Sequence, residues 1–212
     1  MTQAPAAAFI RDNTELLSPP LVPEVRLHLA TEIMPLWRKS EEELEAMGVP
    51  PPYWAFAWAG GQALARYVLD NPEVVRGKRV LDFGSGSGLV GIAAAMAGAA
   101  SVLSADIDRY AEAAIELNAR ANNVAVATTT EDVIGMPGDW DIILIGDMCY
   151  ERPLAERLLA WLRESGADAL LGDPGRSYFP KSEVERLALY NVPVTRDLED
   201  REIRETGVYR LK

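Results

Sequence analysis

Two short stretches of this sequence carry residue types at spacings that could do chemistry. In "RVLDFGSGSGLVG", Arg79 to Gly91, an apolar run reaches Asp82, and Gly84, Gly86 and Gly88 follow at alternate positions. A glycine-rich turn from a strand into a helix lets a ligand approach the backbone and meet free N–H groups. The spacing has two readings. Gly86-Ser87-Gly88-Leu89-Val90-Gly91 fits Gly-x-Gly-x-x-Gly, a loop that seats a dinucleotide pyrophosphate at a helix N-terminus. Asp82-x-Gly84-x-Gly86-x-Gly88 instead places an acid at the strand end, where it would repel pyrophosphate and suit a cationic ligand. The second stretch, "GDMCYE", holds Asp147 and Tyr150. They form Asp-x-x-Tyr at the carboxyl end of an apolar, strand-like run, where parallel sheets bind ligands.

The elements that must position these groups follow from the pattern around them. From Gly77 onward, strands and helices alternate. "KRVLDFG", "SVLSADI", "VAVATTTEDV", "WDIILIGD" and "ADALLGDPG" read as strands, the fourth apolar on both faces as a central parallel strand is. Between them, "GLVGIAAAMAGA" reads as a helix stopped by Gly98. "DRYAEAAIELNARANN" reads as a helix capped by Asp108, with Ala111, Ala114 and Ile115 inward. "RPLAERLLAWLRES" has Leu154, Leu158 and Leu162 at helical spacing. "PKSEVERLALYNV" reads as a further helix, because Ser182 and Glu185 have capping-box spacing. Two β-prone segments, "PVTRDL" and "TGVYRLK", close the chain. The expectation is an α/β, Rossmann-like seven-stranded sheet, mainly parallel with one antiparallel strand and helices on both faces. Residues 1–76 form an N-terminal extension that includes an acidic helix start at "SEEELEAM" and a sheet-packing helix at "GGQALARYVLDNP". Residues 77–212 form the ligand-binding domain.

Composition narrows the chemistry. The chain has 212 residues, 49% hydrophobic and 25% charged, with a formal net charge of -11. That charge disfavours nucleic acid as the main partner and is more compatible with a basic, lysine-presenting one. No apolar run reaches the roughly 18 residues of a membrane span. The first residues lack signal- and transit-peptide patterns, so a cytoplasmic location is expected. Cys149 and His28 are the only cysteine and histidine, so disulfide, zinc and histidine-based catalysis are not expected. His28, in the alternating "VRLHLA", reads as structural, and Cys149 as a small buried residue. Trp54 and Trp58, four apart, are open between core and ligand wall; Trp37 and Trp161 read as packing.

The Asp-x-Gly-x-Gly-x-Gly loop resembles the first motif of S-adenosylmethionine-dependent methyltransferases, in which the loop wraps the methionine part of the ligand. Asp106, in "SADID", is placed to accept from ribose hydroxyls. An acid in "TTTEDVIG" would meet the adenine amino group, Asp132 ahead of Glu131. The expected ligand-binding set is Asp82, Gly84, Ser85, Gly86, Asp106, Ile107, Asp132 and Val133, with no metal. After the fourth strand, the Asn/Asp-Pro-Pro-aromatic signature of many small-molecule and DNA amino methyltransferases is absent.

Taken together, "PPYWAFAWAGGQALARYVLDNP", "VLDFGSGSGLVGIAAAMAGA", "ADID" and "GDMCYE" resemble the bacterial form of the electron transfer flavoprotein β-subunit lysine methyltransferase. This family belongs to the seven-stranded protein lysine methyltransferases that share Asp-x-x-Tyr. The resemblance implies that Asp147 and Tyr150 border the substrate lysine channel and that Trp58 and Gly61 help form the cofactor pocket. It implies S-adenosylmethionine as cofactor, S-adenosylhomocysteine as product, the flavoprotein β-subunit as protein substrate, and a monomer. On the residues alone, Asp147 could also cap a helix and Tyr150 could simply pack. Other acceptors remain open, such as a ribosomal protein or a small amine. A non-catalytic cofactor-binding protein and an NAD-dependent oxidoreductase are the rival classes.

Overall fold

The computed structural model describes residues 3–31, 50–194 and 203–212. Trp37, the acidic helix expected at "SEEELEAM" and most of "PVTRDL" lie outside the described residues. The N-terminal part contributes helix α1 (Gln3–Asn13) and a two-stranded antiparallel sheet of β1 (Glu15–Leu17) and β2 (Leu27–Leu29). Helix α2 (Ala59–Asp70) follows. The rest is β3 (Arg79–Phe83), α3 (Leu89–Met96), β4 (Ser101–Ala105), α4 (Arg109–Ala121), β5 (Ala127–Thr129), β6 (Ile142–Gly146), α5 (Arg152–Ser165), β7 (Asp168–Asp173), β8 (Val184–Pro193) and β9 (Ile203–Leu211).

Seven of these strands make one sheet in the order β5-β4-β3-β6-β7-β9-β8. Neighbours from β5 to β7 are parallel, and β9 runs antiparallel to both β7 and β8. One strand, β9, is therefore reversed, as the expected mainly parallel sheet with one antiparallel strand requires; its partner at the edge is β8, not "PVTRDL". The central strands are apolar on both sides because both sides are covered. Val80, Ile142, Leu144 and Leu170 pack with Leu64 and Val68 of α2 and Ile92 of α3. Leu81, Ile143, Ile145 and Leu171 pack with Leu158, Trp161 and Leu162 of α5. Alternate residues of one strand thus serve opposite layers.

Helix α4 starts where expected: the Asp108 carboxylate accepts from the Tyr110 N–H at 2.8 Å, satisfying a donor that the first turn leaves open. Ala111, Ala114 and Ile115 are buried. Helix α1 lies against α4, with Phe9 edge-on to Tyr110 at 5.4 Å. His28 is held within this N-terminal packing. Its N–H donates to Asn118 Oδ1 at 2.7 Å, and its Nδ1 lies 3.1 Å from Thr14 Oγ1.

One element is corrected. The helix expected over "PKSEVERLALYNV" is strand β8, at the edge of the sheet. Its ladder with β9 runs from Val184 opposite Leu211 to Pro193 opposite Ile203, and the irregularity between Arg186 and Ala188 leaves Leu187 unpaired. Pairing along this ladder outweighs a modest helix preference.

Candidate active site

A cavity of about 900 Å³ opens at the C-terminal ends of β3, β4 and β6, the side on which parallel sheets bind ligands. The glycine loop after β3 forms part of its wall. Gly84 and Gly86 line the cavity at φ +62° and +53°, a left-handed conformation that glycine adopts without a Cβ clash. Gly86 donates its N–H to Asp106 Oδ2 at 2.8 Å. Asp82 is not among the lining residues. It lies beneath the loop, 1% exposed, with Oδ2 accepting from the Ser85 hydroxyl, from Gly91 N–H at 2.9 Å and from Ser104 Oγ at 3.2 Å. Burial pushes its carboxyl up to about 6 against these hydrogen bonds. Asp82 and Ser85 therefore shape the loop from below.

Asp106, Ile107, Asp132 and Val133 all line the cavity, as does Glu131. Asp106 accepts from Gly86 N–H and from Asp108 N–H at 3.0 Å. That leaves about two of its roughly four lone-pair directions for another donor. Burial raises its pKa above the ordinary value. Asp132 pairs with Arg157 of α5 at 2.7 Å and accepts from Ile134 N–H at 3.1 Å; the arginine holds its carboxyl below the usual range. Ile107 is 77% exposed at the rim, and Val133 is buried.

Asp147 follows β6 at φ +58°, one of two non-glycine residues with positive φ among the described residues. Such conformations are uncommon, although aspartate is among the residues that tolerate them. Its N–H donates to Gly172 O at 3.0 Å. Its Oδ2 accepts from the N–H groups of Gly60, in a short hydrogen bond, and Gly61 (3.3 Å) at the start of α2. Its Oδ1 accepts from Arg176 Nε at 2.9 Å and Nη2 at 2.7 Å. Asp147 thus does cap a helix, but that helix is α2, not the one that follows it in sequence. Gly61 packs against Gly146 and is not among the lining residues.

Tyr150 is half-exposed at the cavity wall and faces Tyr53, ring centroids 6.3 Å apart; Tyr53 in turn faces Trp58 at 6.1 Å. The Trp58 Nε1–H donates to Tyr53 O at 2.9 Å. Trp58 lines the cavity, while Trp54 both lines it and is buried. Cys149 is buried and its thiol is pushed up to about 12 by burial and by Asp173 and Asp147, so it is no nucleophile.

Sequence reasoning did not reach Arg176, Tyr53 or Gly60. Arg176 carries a local signal: "GDPGRS" puts an arginine three residues after the acid that ends β7. Asp173 Oδ1 accepts from Gly175 N–H at 2.6 Å and Arg176 N–H at 2.7 Å, turning the loop back toward Asp147.

The residues fit S-adenosylmethionine. The loop presents backbone without side chains, Asp106 has acceptor capacity left for hydroxyls, and Phe83, Val133 and Ile134 offer apolar walls for a flat ring. Fold and site together define the class, an S-adenosylmethionine-dependent methyltransferase. Electron transfer flavoprotein beta subunit lysine methyltransferases match along most of the chain. The Xenopus laevis protein is 47% identical over 84% of this chain and 74% of its own length. The Danio rerio protein is 42% identical over 95% and 81%. The Homo sapiens protein is 42% identical over 84% and 70%. The chain belongs to this family. The profile of the ribosomal protein L11 methyltransferase family also matches residues 62–145. Among solved structures, Thermoplasma acidophilum protein 1320 superposes with a TM-score of 0.58 at 20% identity, over 71% of this chain and 89% of that one. A magnesium protoporphyrin IX methyltransferase from Synechocystis with bound cofactor gives 0.54 at 14%, over 72% and 80%. These two show the fold.

Proposed function

We propose that this chain methylates lysine side chains of the electron transfer flavoprotein beta subunit. The observation that carries the reading is Asp147. It lines the cofactor cavity in a left-handed conformation at the end of a central strand, its carboxylate fixed from two sides. Uncommon backbone conformations persist where surrounding structure over-determines them, and they cluster at functional sites.

When bound, S-adenosylmethionine supplies a methyl group on a positively charged sulfur. The chain's residues do the rest. The glycine loop and Asp106 hold the ligand, and Asp132 or Glu131 closes its far end. Tyr53, Trp58 and Tyr150 present ring faces to the alkyl chain of an incoming lysine, a surface that favours a cationic head group. Asp147 stabilises the positive charge that develops on the amine nitrogen. Free lysine has a pKa near 10.4, so the amine must lose its proton before it can react. No histidine lines the cavity, and the proton goes to water. Alignment of two groups in one cavity provides most of the acceleration.

The substrate assignment is supported by the matching relatives' names. The L11-type profile supports a second reading, transfer to a ribosomal protein. A bacterial L11 methyltransferase, from Syntrophotalea carbinolica, is 35% identical, but over 66% of this chain and 48% of its own length. That this chain is the bacterial form of the flavoprotein enzyme is a proposal from the sequence; the flavoprotein-enzyme relatives named above are vertebrate. Purified electron transfer flavoprotein and purified ribosomal protein L11, each incubated with this enzyme and methyl-labelled cofactor, decide the acceptor. Label on the flavoprotein beta subunit alone is expected. Label on L11 alone overturns the proposal.

A further inference from the structure

Asp147 is already fully committed before any substrate arrives. A carboxylate offers about four lone-pair directions. Two are taken by Arg176, at 2.9 and 2.7 Å on Oδ1, and two by the Gly60 and Gly61 N–H groups on Oδ2. Arg176 is not a loose surface arginine. Its side chain is 20% exposed, it lines the cavity, and its guanidinium carbon lies 5.9 Å from the Trp58 ring centroid. The Asp173 turn fixes its backbone in this position.

The charge of this pair matters for the reaction. A lone carboxylate beside a lysine favours the charged ammonium. An ammonium has no lone pair with which to form the new N–C bond. An aspartate that stabilises the product charge therefore works against the reactive form of the substrate. A guanidinium on the same carboxylate offsets that effect, and the positive end of α2 adds to it. Arginine suits the role because it stays charged at every working pH.

We propose that Arg176 is a positioning residue for methyl transfer: it locks the Asp147 carboxylate and offsets part of its charge, so that more of the acceptor lysine is the neutral amine while Asp147 keeps enough negative charge to stabilise the transition state. The proposal rests on the reading that this cavity methylates lysine. Transfer then forms the N–CH₃ bond, breaks the S–CH₃ bond, and returns the cofactor sulfur to a neutral thioether.

Other groups face this pair. From the β7 exit, Asp173 lies close to both residues, its carboxyl pushed up to about 6 by burial. From the motif itself come Cys149, held neutral by a pKa of about 12, and Tyr150, raised by burial. Tyr53, Glu151 and Asp106 act on Tyr150. Arg176 lowers the Asp173 carboxyl, so Asp173 titrates higher in Arg176→Gln, whereas Arg176→Lys keeps a positive charge beside it; a displacement seen in Arg176→Gln and absent from Arg176→Lys therefore belongs to the charge at position 176.

The test is the pH dependence of kcat/KM on one protein substrate for wild type, Arg176→Gln and Arg176→Lys. The expected result is an acid limb displaced to higher pH by about one unit in Arg176→Gln. Its loss of activity, about tenfold near pH 7.5, shrinks toward pH 10. Arg176→Lys keeps the wild-type profile. A purely structural role would lower activity by the same factor at every pH, and that result overturns the proposal. So does an Arg176→Lys profile displaced from wild type by about one unit, which decides the matter even if the glutamine variant folds poorly. A wild-type enzyme that methylates no lysine overturns the underlying reading, and this proposal with it.

Discussion

Gly60 of α2 and Gly172 of β7 meet backbone to backbone: a Cβ on Gly60 would lie 2.8 Å from the Gly172 carbonyl carbon, and one on Gly172 2.9 Å from that of Gly60. This contact seats the N-terminus of α2 over the end of β6, and the helix N–H groups reach Asp147 from there. Neither backbone can give way without moving the helix off the sheet. Gly172→Ala is expected to destabilise the fold by about 2–3 kcal/mol, an overpacking cost, lowering the thermal midpoint by about 5–10 °C. Activity should fall further than stability explains, because Asp147 loses two donors. Calorimetry and a methylation assay on the same preparation check both; an unchanged midpoint contradicts the packing.

Gly84 faces the cavity at φ +62°, with Met148 against the position a Cβ would take. A left-handed alanine costs about 1–2 kcal/mol, and the Met148 side chain must shift within the cavity wall. Gly84→Ala is expected to keep its circular dichroism spectrum and bind S-adenosylmethionine about tenfold more weakly by titration calorimetry. Wild-type affinity would remove the loop from the binding site.

Much of this layout was legible from the sequence. Asp108 announced α4, and the doubly apolar "WDIILIGD" announced a central strand. The glycine loop and Asp106 lie within one β-α-β unit, so their meeting is a local event. Strand β8 was not legible, for a physical reason. The apolar residues of β8 do not alternate cleanly: the extra residue Leu187 packs against the same core as its neighbour Ala188 and Tyr190, Arg186 is exposed between Val184 and Ala188, and Leu189 is exposed, and this blurs the two-residue period. What remains, Glu, Arg, Leu and Ala behind a Ser182…Glu185 box, looks helical. Arg176 was missed because 29 residues separate it from Asp147, and only the pairing of β6 with β7 brings the two together. The motif alone puts Asp82 among the ligand-binding residues; its burial makes it the support of the loop.

Stability should follow pH in two opposed ways. Asp82, Asp108 and Asp173 are each raised from 3.8 to about 6, chiefly by burial. In the folded protein they bind protons more tightly than in the unfolded chain, so stability increases as pH falls from about 6 to about 4. Asp141, lowered to about 2 by Arg79, acts oppositely. Its contribution is complete above its ordinary value and is lost as pH falls toward 2. The urea midpoint is expected to hold or rise from about pH 7 to about pH 5 and to drop below about pH 4. Asp82→Asn should flatten the upper part of this curve. A steady decline from neutral pH downward contradicts the buried carboxyls.

Tyr150 offers a half-exposed ring beside Tyr53. If its face holds the lysine chain, Tyr150→Phe keeps most activity, whereas Tyr150→Ala raises KM by about fivefold, roughly 1 kcal/mol of cation–π contact. Equal losses in both variants, appearing in kcat, would assign the work to the hydroxyl.

The most direct measurement is intact-protein mass spectrometry of the electron transfer flavoprotein beta subunit after incubation with S-adenosylmethionine and either wild type or Asp147→Asn. Asparagine keeps the shape of the side chain and tolerates the left-handed backbone, while it removes the charge. The account predicts methyl-sized mass increments with wild type, none with Asp147→Asn, and undiminished cofactor binding by the variant. Methylation by Asp147→Asn at the wild-type rate would contradict it.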